Sequence, residues 1–249
     1  MSVPGRAEAA TSIETAPAFM NLRDCSPIDV RRARAFWRHV ERFSTGAIVA
    51  HLPDATSRNI VVVSGWVCEF RILRDGRRQI FSFLLPGDAI AIAPGPRMGQ
   101  RGLLAVTNVE IADASLLAAD SEVEPNSAGI LEAIRQHEER LFDHMVRIGR
   151  LTAKERVLNL LLELYDRLDA IGLVKESTFR LPLTQEMFAD ALGLSVVHIN
   201  RTLQQLRQEG MITIRRGAVT LHQPQKLASV ASYQANEPTA KFAGEHLVA

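Results

Sequence analysis

Residues 181–203 read LPLTQEMFADALGLSVVHINRTL, and this stretch contains two short helix patterns separated by a glycine. Thr184 precedes the first apolar pattern and Ser195 precedes the second, and both residue types favour the N-cap position of a helix. Gly193, between the two patterns, can adopt the left-handed conformation that a tight turn between helices requires. The stretch therefore predicts a helix-turn-helix.

The second helix of this pair separates an apolar face from a polar face. Ile199, Leu203 and Leu206 recur at spacings of four and three residues, so they lie on one side. The side chains expected to read base edges in a DNA major groove are Val196, Val197, Asn200 and Arg201. The side chains expected to contact phosphates are Thr184, Ser195, His198, Gln204, Arg215 and Arg216.

A wing is predicted directly after this helix. Gly210 ends the helix, and two short β patterns, 211–214 and 218–221, flank Arg215-Arg216-Gly217. The whole chain has a net charge of only +1, but residues 195–222 carry four arginines against one glutamate. A helix-turn-helix, a wing and this local positive charge together indicate binding to double-stranded DNA.

A long helix with a heptad pattern is predicted upstream, over residues 126–151. Its seam positions, spaced by four and three residues, are Ile130, Ile134, His137, Leu141, His144, Ile148 and Leu151. A single narrow stripe on a helix of roughly 25 residues favours pairing with the same helix of a second copy. We therefore predict a homodimer, with packing against the chain's own β domain as the alternative.

The predicted helix is interrupted near residues 149–152. Thr152-Ala-Lys-Glu155 has the spacing of a capping box, in which Thr152 and Glu155 exchange hydrogen bonds and start a new helix. A hinge is expected there, between the dimerisation helix and the segment that follows.

Residues 46–117 consist of short β patterns separated by turn residues. Residues 66–73 alternate, with Trp66, Cys68 and Phe70 on one face and Glu69 on the other. Asp75-Gly76 predicts a hairpin turn, and residues 79–85 form the returning strand. Many short strands at this spacing favour a barrel or sandwich.

The predicted fold class is α+β: an N-terminal antiparallel β-roll, a long dimerisation helix and a C-terminal winged helix-turn-helix. The predicted divisions are a disordered N-terminus (1–20), a sensor domain (21–125), the dimerisation helix (126–151), the DNA-binding domain (152–232) and a tail (233–249). A short helix is expected over 27–41 and a loop over 169–179.

Two stretches resemble a known family. Residues 63–88, which contain VSGWVC, DGRRQI and FLLPGD, resemble the cyclic-nucleotide-binding β-roll of the Crp/Fnr superfamily of bacterial transcription regulators. Residues 181–203 resemble the winged helix-turn-helix of that family. The resemblance covers about residues 40–230 and implies that Arg201 reads a guanine. Family members commonly have a glutamate four residues before this arginine, where Val197 stands here, so the familiar half-site need not apply.

The nucleotide site of the family is degenerate in this sequence. Cyclic-nucleotide-binding members have Gly-Glu after the Gly-Asp turn, but Ala91-Ile92 occupies that position here. Arg97 and Arg101 follow without the Arg-Ser or Arg-Thr pair that holds a cyclic phosphate. We expect a scaffold that does not bind cyclic nucleotides. The alternative is an effector-controlled regulator that binds a cyclic nucleotide or another small ligand in the roll.

The sequence also contains candidate groups for other sensing chemistries. Two cysteines are too few for an iron–sulfur cluster. Cys68 is expected in the core, and a redox role for Cys25 is an open alternative. His137 and His144 either fix the register of the seam or form a pH- or metal-responsive cluster across a two-fold axis. No cofactor and no metal site are predicted.

The sequence offers no pattern typical of an enzyme: no nucleophile–base pair, no glycine-rich phosphate loop and no metal-ligand spacing. No apolar run approaches the roughly 18 residues of a membrane span, and no secretory signal is evident. We therefore expect a cytoplasmic protein whose partners are double-stranded DNA, a second copy of the chain and RNA polymerase. An RNA-binding or protein-docking winged helix is the competing interpretation.

Overall fold

The computed structural model describes residues 40–51, 58–92, 101–113 and 124–234. The predicted disordered N-terminus, most of the predicted helix over 27–41, Cys25, Arg97 and the tail beyond residue 234 lie outside the described residues. Val40 and Glu41, expected at the end of that helix, belong instead to a strand. The prediction was wrong there because both residues pair with an antiparallel neighbour, at Ala112 and Ile111.

Eight strands form the N-terminal half: β1 (Val40–Phe43), β2 (Ile48–His51), β3 (Arg58–Ser64), β4 (Val67–Ile72), β5 (Arg78–Leu84), β6 (Ala89–Ile92), β7 (Arg101–Ala105) and β8 (Val109–Asp113). They make two four-stranded sheets, in the orders β1-β8-β3-β6 and β2-β7-β4-β5. Every described pairing is antiparallel. The predicted antiparallel β-roll is confirmed.

The two sheets enclose an aliphatic core that includes Ile60, Val62, Leu84 and Ile111. Burial of such side chains is the main favourable contribution to folding of the roll.

The predicted hairpin joins β4 to β5. Gly76 has a φ of 84° in its turn, and the backbone N–H of Leu73 donates to the carbonyl oxygen of Arg77 at 2.7 Å. Cys68 of β4 is fully buried, and burial raises the pKa of its thiol to about 12. The thiol is therefore protonated near neutral pH, and only the thiolate is the reactive form.

Five helices are described: α1 (Glu124–Arg150), α2 (Ala153–Ala170), α3 (Gln185–Leu192), α4 (Val196–Gln208) and α5 (Pro224–Val230). The predicted break lies between α1 and α2, where Thr152 is the N-cap of α2 and forms the expected capping box with Glu155. The backbone N–H of Thr152 donates to the Glu155 carboxylate at 2.7 Å. None of the described helices is long and apolar enough to cross a lipid bilayer.

The C-terminal half is built around α2. Its buried leucines, among them Leu158 and Leu161, pack with α3, α4 and α5 in one core. Trp66, Cys68 and Phe70 belong to the same core, so the side of β4 that faces away from the roll interior packs toward the helices. The two halves therefore share a continuous apolar interface.

Two elements differ from the prediction for the C-terminal half. Residues 169–179 were expected to form a loop, but α2 continues to Ala170 and Thr178–Arg180 forms strand β9. Phe179 is buried, and β9 pairs with the second wing strand, so the wing sheet has three strands. Helix α5 was not predicted, although Pro224 in its first turn is a typical start signal.

Candidate nucleic-acid interface

The helix-turn-helix consists of α3, a glycine turn and α4. The hydroxyl of Thr184 caps α3 by accepting from the backbone N–H of Met187 at 3.1 Å. Gly193 ends α3 in the left-handed region, with φ 62° and ψ 37°. The hydroxyl of Ser195 then caps α4 by accepting from the N–H of His198 at 3.2 Å. The local sequence thus fixes both helix starts and the turn between them.

One face of α4 is held by the core. Ile199, Leu203 and Leu206 are buried, as the spacing predicted. Thr202 is also buried, and its hydroxyl donates to the carbonyl oxygen of His198 at 2.9 Å. Because four side chains over two turns are fixed in this way, the rotation of α4 about its axis is set.

The opposite face of α4 is open to solvent. Val197 is 78% exposed, Val196 and Arg201 are exposed, and Asn200 is half-buried. All six predicted phosphate-contacting residues are also exposed: Thr184, Ser195, His198, Gln204, Arg215 and Arg216. The structure thus places the four predicted base-reading residues along one side of α4.

The wing strands are β10 (Ile212–Arg215) and β11 (Ala218–Leu221), with Arg215 opposite Ala218. Arg216 and Gly217 form the two-residue turn between them, with φ values of 49° and 74°. Two consecutive positive φ values are typical of the tight hairpin turn that matches strand twist. The turn presents the exposed Arg215 and Arg216 at the tip of the wing.

The one acidic residue of the segment 195–222 is already paired with a lysine. Glu209, at the end of α4, accepts hydrogen bonds from Lys154 of α2 and from Gln205, the latter at 2.8 Å. These two hydrogen bonds hold the pKa of Glu209 below its usual value. Its charge is balanced by Lys154, so the surface of α4 and the wing remains positive.

The predicted seam of α1 does not lie on one exposed face. His137 and His144 are buried against the chain's own β-roll and α2, and the Nε2 of His137 lies 3.1 Å from the Glu69 carboxylate. Both histidines were predicted on the dimer seam; within this chain they pack on its own β domain, which is the alternative given for this helix. Ile134, Leu141, Ile148 and Leu151 are half-buried, and the side chain of Ile130 lies outside the described residues.

A different apolar surface is exposed on α1. Phe142 is 64% exposed, Met145 is 54% exposed, and Val146 is also exposed. Met145 continues the four-three spacing of Leu141 and Ile148, so these three side chains lie on one side of the helix. Leu141 and Ile148 were among the predicted seam positions, whereas Met145, one position beyond His144, was not.

The positions that correspond to the family's nucleotide site belong to the packed structure of the β-roll. Ile92 is buried in the roll core and Ala91 is exposed on β6. Arg101 donates from Nε to a carboxylate oxygen of Glu69 at 2.6 Å, and Glu69 is almost fully buried. Burial alone would raise the pKa of Glu69, but His137 and Arg101 outweigh it and hold the pKa below its usual value. The buried Glu69 was not anticipated as a partner.

The comparisons with known proteins agree with this geometry. A model described as the Crp-like helix-turn-helix domain matches residues 155–230. The nitrogen fixation regulation protein FixK of Bradyrhizobium diazoefficiens is 32% identical over 213 residues, which cover 84% of this chain and 89% of FixK. The transcriptional activatory protein AadR of Rhodopseudomonas palustris is 31% identical over 175 residues, covering 69% of this chain and 72% of AadR.

The solved structure of FixK2 from Bradyrhizobium japonicum superposes with a TM-score of 0.66 at 26% identity, covering 79% of this chain and 98% of FixK2. The chain belongs to the Crp/Fnr superfamily, and it is a DNA-binding transcription regulator of that type. Its relatives are regulators and not enzymes.

Proposed function

We propose that this regulator binds a pseudo-palindromic duplex as a homodimer, with one α4 helix in the major groove of each half-site. The observation that carries the proposal is the division of α4 into two faces. The core fixes Ile199 and Leu206 on one face, while Val197 and Arg201 stand exposed on the other. A recognition helix needs this combination of fixed orientation and exposed side chains.

Base reading is assigned to the exposed face of α4. Arg201 would donate to O6 and N7 of a guanine, since arginine is the best bidentate partner of that base. Val196 and Val197 would contact thymine methyl groups, because their exposed side chains are apolar. Asn200, half-buried beside them, would contact an adjacent base edge.

Phosphate contacts are assigned to the rim of this face and to the wing. The hydroxyl oxygens of Thr184 and Ser195 accept from backbone N–H groups, so each hydroxyl hydrogen remains available to a phosphate oxygen. Arg215 and Arg216 would contact the backbone beside the groove, and His198 and Gln204 would do so along α4. Such contacts set the register of the protein on the duplex but read no sequence.

The dimer surface is assigned to the exposed side of α1. Leu141, Met145 and Ile148 follow the spacing of a two-helix seam, with Phe142 beside them. This proposal keeps Leu141 and Ile148 from the predicted seam and replaces His144 by Met145. Dimerisation places two α4 helices around a two-fold axis, which is what an inverted repeat in DNA requires.

Cyclic nucleotides are not the expected effector. A ribose hydroxyl needs an acceptor, and Ile92 is an alkyl side chain packed in the core. A cyclic phosphate needs a cation, and the guanidinium of Arg101 is already paired with Glu69. Calorimetry with cyclic AMP and cyclic GMP should detect no micromolar binding; a micromolar signal with tighter DNA binding would favour the effector-controlled alternative.

The proposed location and the proposed contact with RNA polymerase both follow from binding to bacterial DNA. The protein would act in the cytoplasm, where the chromosome lies, and would influence transcription through contact with RNA polymerase.

Selection of bound sequences from a pool of random duplexes tests the proposal. The expected result is an inverted repeat with half-sites about 10–10.5 base pairs apart, each containing a G·C pair that depends on Arg201. Selected sites without inverted symmetry would refute the dimeric arrangement. Selection of structured RNA, with no duplex enrichment, would favour the competing RNA-binding interpretation.

A further inference from the structure

A small cavity lies at the junction of the two halves of the chain. It is enclosed by β5, α1, α2 and α3, and its lining includes Ser82, Arg140, His144, Arg147 and Glu163. The cavity opens toward solvent, and its enclosed part has room for a single species about as large as a water molecule. The cavity is separate from the α4 face and from Arg101 in the β-roll.

Ion pairs surround this cavity. Asp88 lies against two arginines, with the Nη2 of Arg140 at 3.0 Å from one oxygen and Arg167 on the other. Glu163 likewise accepts from Arg167, at 2.7 Å, and from Arg147. Arg147 also donates from Nε to the side-chain oxygen of Asn159 at 2.8 Å. Two carboxylates, Asp88 and Glu163, therefore form ion pairs with three guanidinium groups.

Among these paired groups, the positive charges exceed the negative charges by one. Glu139 is the further carboxylate close enough to influence Arg140, and it is paired with Arg135 on the outer side of α1. Removing an unbalanced charge from water is costly, so a structure that buries one usually supplies a counter-charge.

Polar atoms of two side chains also lack a hydrogen-bond partner at the cavity. The Nε and Nη2 atoms of Arg140 and the Nε2 atom of His144 are buried without a hydrogen-bond partner among the described residues. Nη2 is within ion-pair distance of Asp88 but is not directed at it as a hydrogen-bond donor. Arginine has five N–H donors and no acceptor, so only an acceptor can satisfy these positions.

The titration behaviour of two lining groups is consistent with this positive excess. Burial, together with the charge of Arg167, lowers the pKa of Arg140. Burial and the charge of Arg147 lower the pKa of His144 to about 4. The imidazole is therefore neutral near pH 7, and it does not add to the charge.

We propose that this cavity is a binding site for a small monovalent inorganic anion of halide size, held by Arg140 and lined by His144 and Arg147. The anion would accept from the Nε of Arg140 and balance the excess charge between the two halves. A larger oxyanion or a nucleotide would not fit the enclosed space. A bound water is the competing occupant, because it could accept the same hydrogen bond but would leave the charge unbalanced.

Thermal unfolding of the full chain tests the proposal. Chloride is titrated against gluconate at constant ionic strength, since gluconate is too large for the cavity. A bound anion stabilises the folded state by mass action, so the Tm should rise saturably, by roughly 3–6 °C at ten times the Kd. Arg140→Met should abolish this rise. Arg150→Met, which removes the same charge from an exposed site on the same helix, should retain it.

A crystallographic measurement decides the case if Arg140→Met does not fold. Crystals of the unaltered chain grown in bromide should show an anomalous peak within hydrogen-bond distance of the Arg140 guanidinium. A water at that position with no anomalous signal would overturn the proposal. An equal chloride response of the unaltered chain and a folded Arg140→Met variant would also overturn it.

Discussion

Arg78 of β5 and Asp190 of α3 form an ion pair across the junction of the two halves, with Nε and Oδ2 separated by 2.7 Å. The side-chain amide of Gln79 donates to the carbonyl oxygen of Ala191 at 3.4 Å beside it. The first helix of the helix-turn-helix is therefore attached by polar contacts to a strand of the β-roll.

This ion pair should contribute little to global stability. Both side chains are about a quarter exposed, at 27% and 26%, so solvent screens their attraction. A double-mutant cycle with Arg78→Gln and Asp190→Asn, measured by urea unfolding, should give a coupling energy of about 0.2–1 kcal/mol that decreases with salt. A coupling energy above about 3 kcal/mol, of the size seen for fully buried pairs, would contradict this reading.

Arg201 should determine sequence preference. Arg201→Ala should remove roughly 1–3 kcal/mol of discrimination at one G·C pair in each half-site, because the bidentate contact to guanine is lost. Competition binding with matched and single-substituted duplexes measures this loss. An unchanged ratio of specific to random binding would assign Arg201 to the phosphates instead.

Arg216 is the matched control on the wing. Arg216→Ala should weaken binding to all sequences alike and reduce the slope of log K against log salt by about one, because a phosphate contact releases counterions. Binding measured over a salt series separates this effect from that of Arg201. A loss confined to one base pair would place Arg216 in base reading.

Met145 tests the dimer surface on α1. Met145→Asp should shift the protein from dimers to monomers in sedimentation, because the carboxylate would be buried without a partner between two helices. Leu173→Asp is the control, since Leu173 is 50% exposed and lies outside α1. If the Met145→Asp protein remained dimeric at low concentration, dimerisation would have to involve another surface.

His144 should make the protein sensitive to acid. Its pKa falls from 6.5 to about 4 in the folded state because of burial and Arg147. The unfolded chain then binds more protons between these values, so stability is complete above pH 6.5 and is lost as the pH falls toward 4. At pH 5, His144 should lower the free energy of unfolding by about 2 kcal/mol relative to neutral pH.

Urea unfolding at pH 7.5 and pH 5 checks this loss. His144→Gln should reduce the difference between the two pH values, whereas His198→Gln, at an exposed position on α4, should leave it unchanged. Glu163 does not interfere, because its pKa is held at about 2 by Arg147 and Arg167 against the effect of burial, and its contribution is lost below pH 4.5. An identical pH dependence for the His144→Gln protein would refute the assignment.

The helix-turn-helix could be predicted from the sequence because its signals are local. Thr184, Gly193 and Ser195 specify the two helix starts and the turn through hydrogen bonds and backbone conformation within a few residues. The hairpin at Gly76 is specified in the same way. Each of these elements is found where its residues predicted it.

The contacts between distant segments could not be predicted in this way. The heptad pattern of α1 gives a spacing but does not say which side meets the chain's own roll, and the partners of His137 and Arg140 lie in β4 and after β5. Strand β9 is three residues long and has Phe179 as its one buried side chain, so its pattern is too short to recognise. Its pairing with β11 stabilises it.

Half-site spacing tests the central claim most directly, namely that two α4 helices of one dimer read the duplex together. Binding is compared between the selected inverted repeat and the same repeat with about five base pairs, half a helical turn, inserted between its half-sites. The two half-sites then face opposite sides of the DNA, so the affinity should fall to that of a single half-site. Unchanged affinity, with one chain bound per half-site, would contradict the account.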